Sequence, residues 1–180
     1  MKVLTFFFMF IFSLESFAAQ WAFRARENYE VTKVSDTQQN FAGLSSTINF
    51  LYEEPFKYSY GLGINPGLSS FEEKNNIVSL NLGKEIRVYQ LGSDIKYFPV
   101  DGAKVFVRNT LFYALVDTKT AVDNIGGYGA SLSVGWEFWL YDLFSLAPEV
   151  GYKYTRLRTD ENLNTIFVSV GLHFYNFKIN

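Results

Sequence analysis

From Trp21 onward, apolar side chains recur at every second position, in segments of about 11 to 13 residues. Period two puts alternate residues on opposite faces of a strand, whereas a helix would repeat every 3.6. Strands this long exceed the usual five or six residues of soluble sheets and suit a tilted strand crossing a bilayer. Residues 21–33 set Trp21, Phe23, Ala25, Tyr29 and Val31 against Arg24, Arg26, Asn28, Glu30 and Thr32. Residues 41–53 oppose Ala42, Leu44, Ile48, Phe50 and Tyr52 to Gly43, Ser45, Thr47 and Asn49. Residues 56–66 oppose Phe56, Tyr58, Tyr60, Leu62 and Ile64 to Lys57, Ser59, Gly61, Gly63 and Asn65. Four further segments, 104–116, 128–140, 146–157 and 165–177, repeat the pattern, although Phe106 and Phe112 fall on the polar side of theirs.

The eighth strand is expected within residues 77–99. Val78, Leu80, Leu82, Ile86 and Val88 are apolar at even positions, but from Tyr89 the apolar set moves to Tyr89, Leu91, Ile95 and Tyr97. Such a change of phase calls for a bulge or a turn. Two spanning strands here would give nine, and single-chain bacterial barrels use even counts. Residues 89–99 are therefore predicted to span and Asp101-Gly102 to turn the chain, with 77–88 standing above the membrane. Connections alternate in length: short at Glu54-Pro55, Asp101-Gly102 and Tyr141-Asp142, longer and polar at 34–40, 67–76, 117–126 and 158–164. The predicted fold is an all-β, antiparallel, up-and-down transmembrane barrel of about eight strands, its long loops facing outward.

Alternation alone does not say which face meets lipid, since a soluble lipocalin-like barrel alternates with its apolar side inward around a ligand. Two features favour lipid. The polar face mixes Gly and Ser with charges of both signs, which fits a narrow filled lumen. The apolar face carries aromatics at one level, Trp21, Phe56 and Phe144 opening upward strands and Tyr52, Tyr97, Phe138 and Phe174 closing downward ones, as in an interfacial girdle. The N-terminus agrees: Lys2, an apolar run over residues 3–12 and Ser16-Phe17-Ala18 read as a signal peptide cut after Ala18, or else after Ala19. Residues 1–18 are thus read as the signal and 19–180 as one barrel domain.

Composition narrows the chemistry. Aromatic residues make up 19%, with 19 Phe and 12 Tyr, a balance that favours strands. No Cys and a single His leave no disulfide and almost no nitrogen or sulfur metal ligands, so no cofactor or metal site is expected. A net charge of -2 offers no excess of cations for nucleic acid.

The whole mature chain resembles the small eight-stranded outer-membrane barrels typified by the OmpA membrane domain and OmpX. The residues that carry the likeness are Leu146-Ala147-Pro148-Glu149-Val150-Gly151-Tyr152-Lys153-Tyr154 and the last strand with Gly171 and Phe174. The resemblance implies an outer-membrane location in a Gram-negative bacterium, contact with outer-membrane lipids and lipopolysaccharide, and insertion by the outer-membrane assembly machinery. The family's terminal signal has a second aromatic two residues after the first; here Asn176 stands there and Phe177 is displaced by one.

The strand faces send Arg24, Arg26, Lys57, Lys96, Arg108 and Lys153 into the lumen with Glu30, Glu53, Asp94, Glu137 and Glu149. Near balance of sign predicts mutual pairing, and an eight-stranded barrel is only wide enough to be filled by its own side chains. The expected plug is a network of Asp94, Arg108, Glu137, Glu149, Lys153 and His173. Strand pairing through the loops is expected to place Arg108 near Glu137 and Asp94, Glu137 near Glu149, and Glu149 near His173. The rival reading is a lipid-modifying enzyme built on Ser169 and His173, but four residues of strand span about 13 Å, too far for a direct hydrogen bond. Glu72, Glu73, Asp117, Asp123, Asp160 and Glu161 read as a solvated loop surface, and Arg156 and Arg158 stand near the rim within reach of lipopolysaccharide phosphates. The expected role is structural or a surface interaction through the outer loops, with no extracellular partner identifiable.

Overall fold

The computed structural model describes residues 20–35, 40–54, 58–73, 85–100, 103–118, 124–141 and 143–175. The signal peptide expected at 1–18, the cleavage sites and the residues after Tyr175 lie outside them, as do Phe56 and Lys57. Nine antiparallel segments form the sheet: β1 Gln20–Val34, β2 Asn40–Glu54, β3 Tyr58–Glu73, β4 Glu85–Tyr97, β5 Val105–Thr118, β6 Ile125–Trp136, β7 Phe138–Tyr141, β8 Phe144–Leu157 and β9 Asn162–Tyr175. They make eight staves, because β6 and β7 are one strand passing through Glu137. The register that pairs Gly135 with Glu149 continues unchanged to Phe138 and Leu146, and Glu137 N–H donates to Lys104 O at 2.8 Å. Each stave pairs with the next, β6 also pairs with β8, and β1 pairs with β9. The sheet therefore closes into a barrel and leaves no edge.

Pleating decides what faces where. Along β1, Arg24, Arg26, Asn28, Glu30 and Thr32 point inward and are buried, while Trp21, Tyr29 and Val31 are exposed outside. Among the described side chains the outer face of the other staves is likewise apolar, as at Leu91, Ile95, Leu111, Leu132, Val134, Val150, Ile166 and Val168. Water would not tolerate a continuous belt of this kind on a soluble monomer; lipid requires it. The lipocalin-like alternative, with its apolar side inward, does not fit.

The belt has an aromatic ring at each end. Of the expected lower girdle, Trp21, Tyr97 and Phe138 are exposed and Tyr52 and Phe174 half-buried, all on the outer face at the rim where the described chain begins and ends. Edge-on contacts join Trp21 to Tyr52 (5.7 Å between ring centres) and Phe144 to Phe174 (4.9 Å). A second ring lies eight residues up the same staves: Tyr29 above Trp21, Tyr89 above Tyr97, Tyr128 above Trp136 and Tyr152 above Phe144. Eight residues rise about 27 Å along a strand and about 20 Å along the axis at the usual tilt, close to the height of an outer-membrane apolar band. Among the described side chains, one carboxylate interrupts the belt. Glu27 faces outward just below Tyr29 and accepts a 2.6 Å hydrogen bond from Ser46 Oγ on the neighbouring strand.

Three expectations need correction. β4 has no change of phase: Ile86 and Val88 point into the lumen while Tyr89, Leu91, Ile95 and Tyr97 point out, so both apolar sets belong to one regular strand. The irregularity sits in β3 instead, where the three residues between Asn65 and Ser69 face only Tyr89 of β4. Beyond the two extra residues β3 resumes its pairing with β4 and runs on to Glu73, where a loop was expected from residue 67. Finally, the connection expected at 158–164 is a tight turn. Leu157 N–H donates to Glu161 O at 2.9 Å and Asp160 takes a left-handed φ of 67°, so β9 begins at Asn162 and Glu161 is buried rather than solvated.

The lumen is layered. Toward the upper rim, Val34, Phe41, Ile86, Val88, Phe112, Ala114, Val116, Leu157 and Leu163 form one apolar cluster. Toward the lower rim, Ala22, Leu51 and Tyr175 form a second and Phe98, Phe106 and Ala147 a third. Inward-facing glycines make room for the rings: a Cβ on Gly129 would meet Phe112 at 2.5 Å as well as the Tyr154 backbone oxygen at 2.3 Å, one on Gly135 would meet Phe106 at 2.3 Å, and one on Gly151 would meet Phe167 at 2.5 Å. Gly129→Val should therefore destabilise the barrel by about 1–3 kcal/mol through overpacking. Adding Phe112→Leu should recover part of that loss, a non-additivity measurable by urea titration of the protein refolded in vesicles. Simple additivity would mean the ring does not lie over the glycine.

Candidate functional site

Between the apolar clusters lies a band of charged side chains on the inward faces of β1, β2, β4, β5, the β6/β7 stave and β8. Glu149 of β8 is its hub. Arg26 Nη1 reaches Glu149 Oε1 at 2.7 Å and Arg108 Nη1 reaches the same oxygen at 2.6 Å. Ser169 Oγ donates to Oε1 at 2.9 Å and Ser133 Oγ to Oε2 at 3.2 Å. Arg108 and Arg24 share Asp94, at 3.6 and 3.4 Å, and Asn49 Nδ2 donates to its other oxygen at 3.3 Å. Arg24 also approaches Glu53, at 3.9 Å.

Nearer the lower rim, Lys96 Nζ bridges Glu53 at 2.9 Å and Glu137 at 3.0 Å. It also sits 4.7 Å from the ring centre of Phe98 and 5.3 Å from that of Phe106. Glu137 accepts from Ser145 and Tyr175 hydroxyls and lies 2.9 Å from His173 Nδ1. Toward the upper rim, Lys153 reaches Glu30 at 2.5 Å, and Ser45 Oγ donates to the same carboxylate at 2.5 Å. Five cations, Arg24, Arg26, Lys96, Arg108 and Lys153, thus face five carboxylates, Glu30, Glu53, Asp94, Glu137 and Glu149, all buried. Pairing of this kind is the condition for charges to remain ionised away from water.

The six residues singled out from the sequence all lie in this band, but their partners differ from expectation. Arg108 meets Asp94 as expected, yet meets Glu149 instead of Glu137. The β5–β6 register sets Arg108 opposite Ser133, whereas Glu137 lies level with Lys104. Glu149 is opposite Ser169 and His173 opposite Ser145, so His173 joins Glu137 and not Glu149. Glu137 and Glu149 are diagonal neighbours across β6/β7 and β8, but each has its own cations. Lys153 reaches over β9 to pair with Glu30. Arg24, Arg26, Lys96 and Glu53 were legible as lumen residues, while their membership of one network was not. Tyr175 and Ser145 were missed as partners; inward parity at the ends of β9 and β8 was the available signal.

Ser169 and His173 sit on different carboxylates, so the geometry forms no serine–histidine pair. A cavity of about 40 Å³ remains in the polar band, bordered by Arg26, Asn49, Thr110 and Lys153. Arg26 Nε, Asn49 Oδ1 and Thr110 Oγ1 have no protein partner. The space suits a very few waters and is too small for a ligand or a conduit.

An edgeless eight-stave sheet, an apolar outer belt between two aromatic rings and a filled polar lumen define the fold of the small outer-membrane β-barrels. Solved structures share it. Neisserial surface protein A (NspA) superposes with a TM-score of 0.60 at 16% identity, covering 88% of this chain and 99% of that one. OprG from Pseudomonas aeruginosa gives 0.52 at 11% identity, covering 90% and 97%. Ail, the attachment invasion locus protein of Yersinia pestis, gives 0.50 at 12% identity, covering 86% and 99%. No family model and no curated protein matches the sequence.

The hub makes a quantitative claim. Glu149→Gln leaves Arg26 and Arg108 facing a neutral acceptor and should cost about 3–5 kcal/mol, and Arg108→Met should cost about 3 kcal/mol by leaving Glu149 and Asp94 underpaired. Arg156→Gln, at a side chain half exposed on the rim, should change stability by less than about 0.5 kcal/mol. Equal effects of the three in urea titrations would contradict a buried network.

Proposed function

We propose that the protein is a closed, non-enzymatic barrel of the Gram-negative outer membrane whose work is done at its outer surface. It inserts after signal cleavage, with assistance from the outer-membrane assembly machinery acting on its terminal strand, and lives among outer-membrane lipids and lipopolysaccharide. The role is structural or a surface interaction through the outer loops; nucleic acid and cofactors have no part in it. The observation that carries the reading is the lumen, whose paired charges are covered by apolar side chains toward both rims. A conducting pore needs a continuous polar path, and here Phe41, Val88, Val116 and Leu157 occupy the upper course and Leu51, Phe98 and Phe106 the lower. Catalysis needs a nucleophile beside a base, a condition the separation of Ser169 from His173 does not meet. What remains available to a partner is the outside of the barrel and its loops.

Planar-bilayer recording tests the reading: purified, folded protein should leave the bilayer silent, and steady ohmic conductance would refute the closed lumen. Fractionation tests the location. The mature chain should begin at Ala19 or Gln20 and partition with outer membranes as a heat-modifiable species; recovery of detergent-free soluble monomer from the periplasm would overturn it.

A further inference from the structure

At one corner of the upper rim the outer face changes from apolar to basic. Along β8 the outward positions read Tyr152, Tyr154, Arg156 and then, at the turn, Arg158. Tyr152 of the upper ring and then Tyr154 are followed directly by two cations. Arg158 lies four residues beyond Tyr154, about 13 Å along the strand, which raises it from the edge of the hydrocarbon into the headgroup layer. Across the strand pairing, Tyr128 stands beside Arg156. Arg158 is tied to β6 by its own N–H, which donates to Gly126 O at 2.9 Å.

Gly126 gives this corner its shape. A Cβ there would lie 2.4 Å from the Tyr113 hydroxyl and 3.4 Å from Arg158 Nε. The bare glycine is therefore the floor over which a hydroxyl from β5 and a guanidinium from the β8–β9 turn meet, both on the outer face. The turn is fixed by the left-handed Asp160 and by the Leu157 to Glu161 hydrogen bond, so the two arginines sit on a rigid support. Nearby carboxylates neutralise them poorly. Asp160 is 3.5 Å from Arg156, with the Asp160 side chain largely and the Arg156 side chain half in solvent. Glu161 is buried and accepts from Thr159, and Asp117 on β5 stands opposite Arg87. Arg158 has no carboxylate partner among the described residues.

We infer that this corner binds a phosphate group on the headgroup of an outer-leaflet glycolipid. The guanidinium groups of Arg156 and Arg158 take the phosphate oxygens, the Tyr113 hydroxyl donates a further hydrogen bond, and Tyr128 and Tyr154 pack along the upper acyl chains. This rests on the outer-membrane reading above. It also gives the inserted barrel a lipid that it holds on one side only, at the β5, β6 and β8 staves.

The test uses the full mature chain refolded into phosphatidylcholine vesicles doped with bis-phosphorylated lipid A or with dephosphorylated lipid A. Lipid retained after detergent extraction is read by native mass spectrometry, and insertion is read separately by heat-modifiable gel mobility. Phosphorylated lipid A should be retained at least tenfold better than the dephosphorylated form. The Arg156→Gln, Arg158→Gln double variant should lose that preference. Gly126→Val, which leaves the net charge unchanged but displaces Tyr113 and Arg158, should lose most of it. Lys104→Gln, an exposed cation at the opposite rim, should keep it, and millimolar inorganic phosphate should not compete. Equal retention of the two lipids, an equal loss with Lys104→Gln, or displacement by free phosphate would overturn the headgroup site while normal insertion left the outer-membrane reading standing. Failure of the wild-type chain to insert would overturn both.

Discussion

A guanidinium held inside a barrel of eight strands has no bulk water to turn to, and the rest of this structure follows from how that demand is met. Arg26 on β1 and Arg108 on β5 converge on one oxygen of Glu149 on β8. Lys96 on β4 ties Glu53 on β2 to Glu137 on the β6/β7 stave. Each of these contacts reaches over one intervening stave, and together they brace the wall from within. Forming such pairs adds little net stability, since desolvation offsets much of the attraction; leaving one unmade is severe. The network thereby acts as a register lock. A slip of one residue in any stave would turn its charges to lipid and its leucines into the lumen.

The apolar clusters complete the arrangement. Phe112 with Ile86, Val88 and Leu157 lies toward the upper rim, and Phe98, Phe106 and Tyr175 lie toward the lower, so the charged band is separated from both aqueous faces. Exclusion of water strengthens each ion pair and makes each unpaired group more costly. The inward glycines belong to the same solution, because a narrow barrel accepts lumen phenylalanines only where the facing wall has no side chain. A lumen filled in this way has no room left for a substrate, and the chemistry still open to solvent and to lipid is at the rims.

Period two made seven strands legible because lipid and lumen impose opposite demands on adjacent residues. The eighth was obscured by Ile86 and Val88, which read as a lipid-facing set out of phase. In fact they are lumen side chains at a level where the lumen is apolar, and alternation cannot distinguish two apolar faces from a change of phase. The charge network was legible as membership, not as pairing. Sequence reasoning assigned partners between neighbouring staves, but Arg26 and Lys153 reach carboxylates over the intervening β9, and the β8–β9 register differs from the assumed one by enough to move His173 from Glu149 to Glu137. Register depends on turn geometry, here the left-handed Asp160, which a short polar segment does not reveal. The upper tyrosine ring was present in the sequence as an eight-residue spacing from the lower aromatics, and needed only the corrected β4 to be seen.

The central claim is that the lumen charges are sealed from water, and the exchange of arginine side-chain N–H protons measures this directly. In isotope-labelled protein embedded in lipid nanodiscs and transferred to D2O, the Nε–H signals of Arg24 and Arg108 should persist long after those of Arg156 and Arg158 have vanished. Loss of all four at one rate would mean that water reaches the network freely, and the sealed, cross-braced barrel would be wrong.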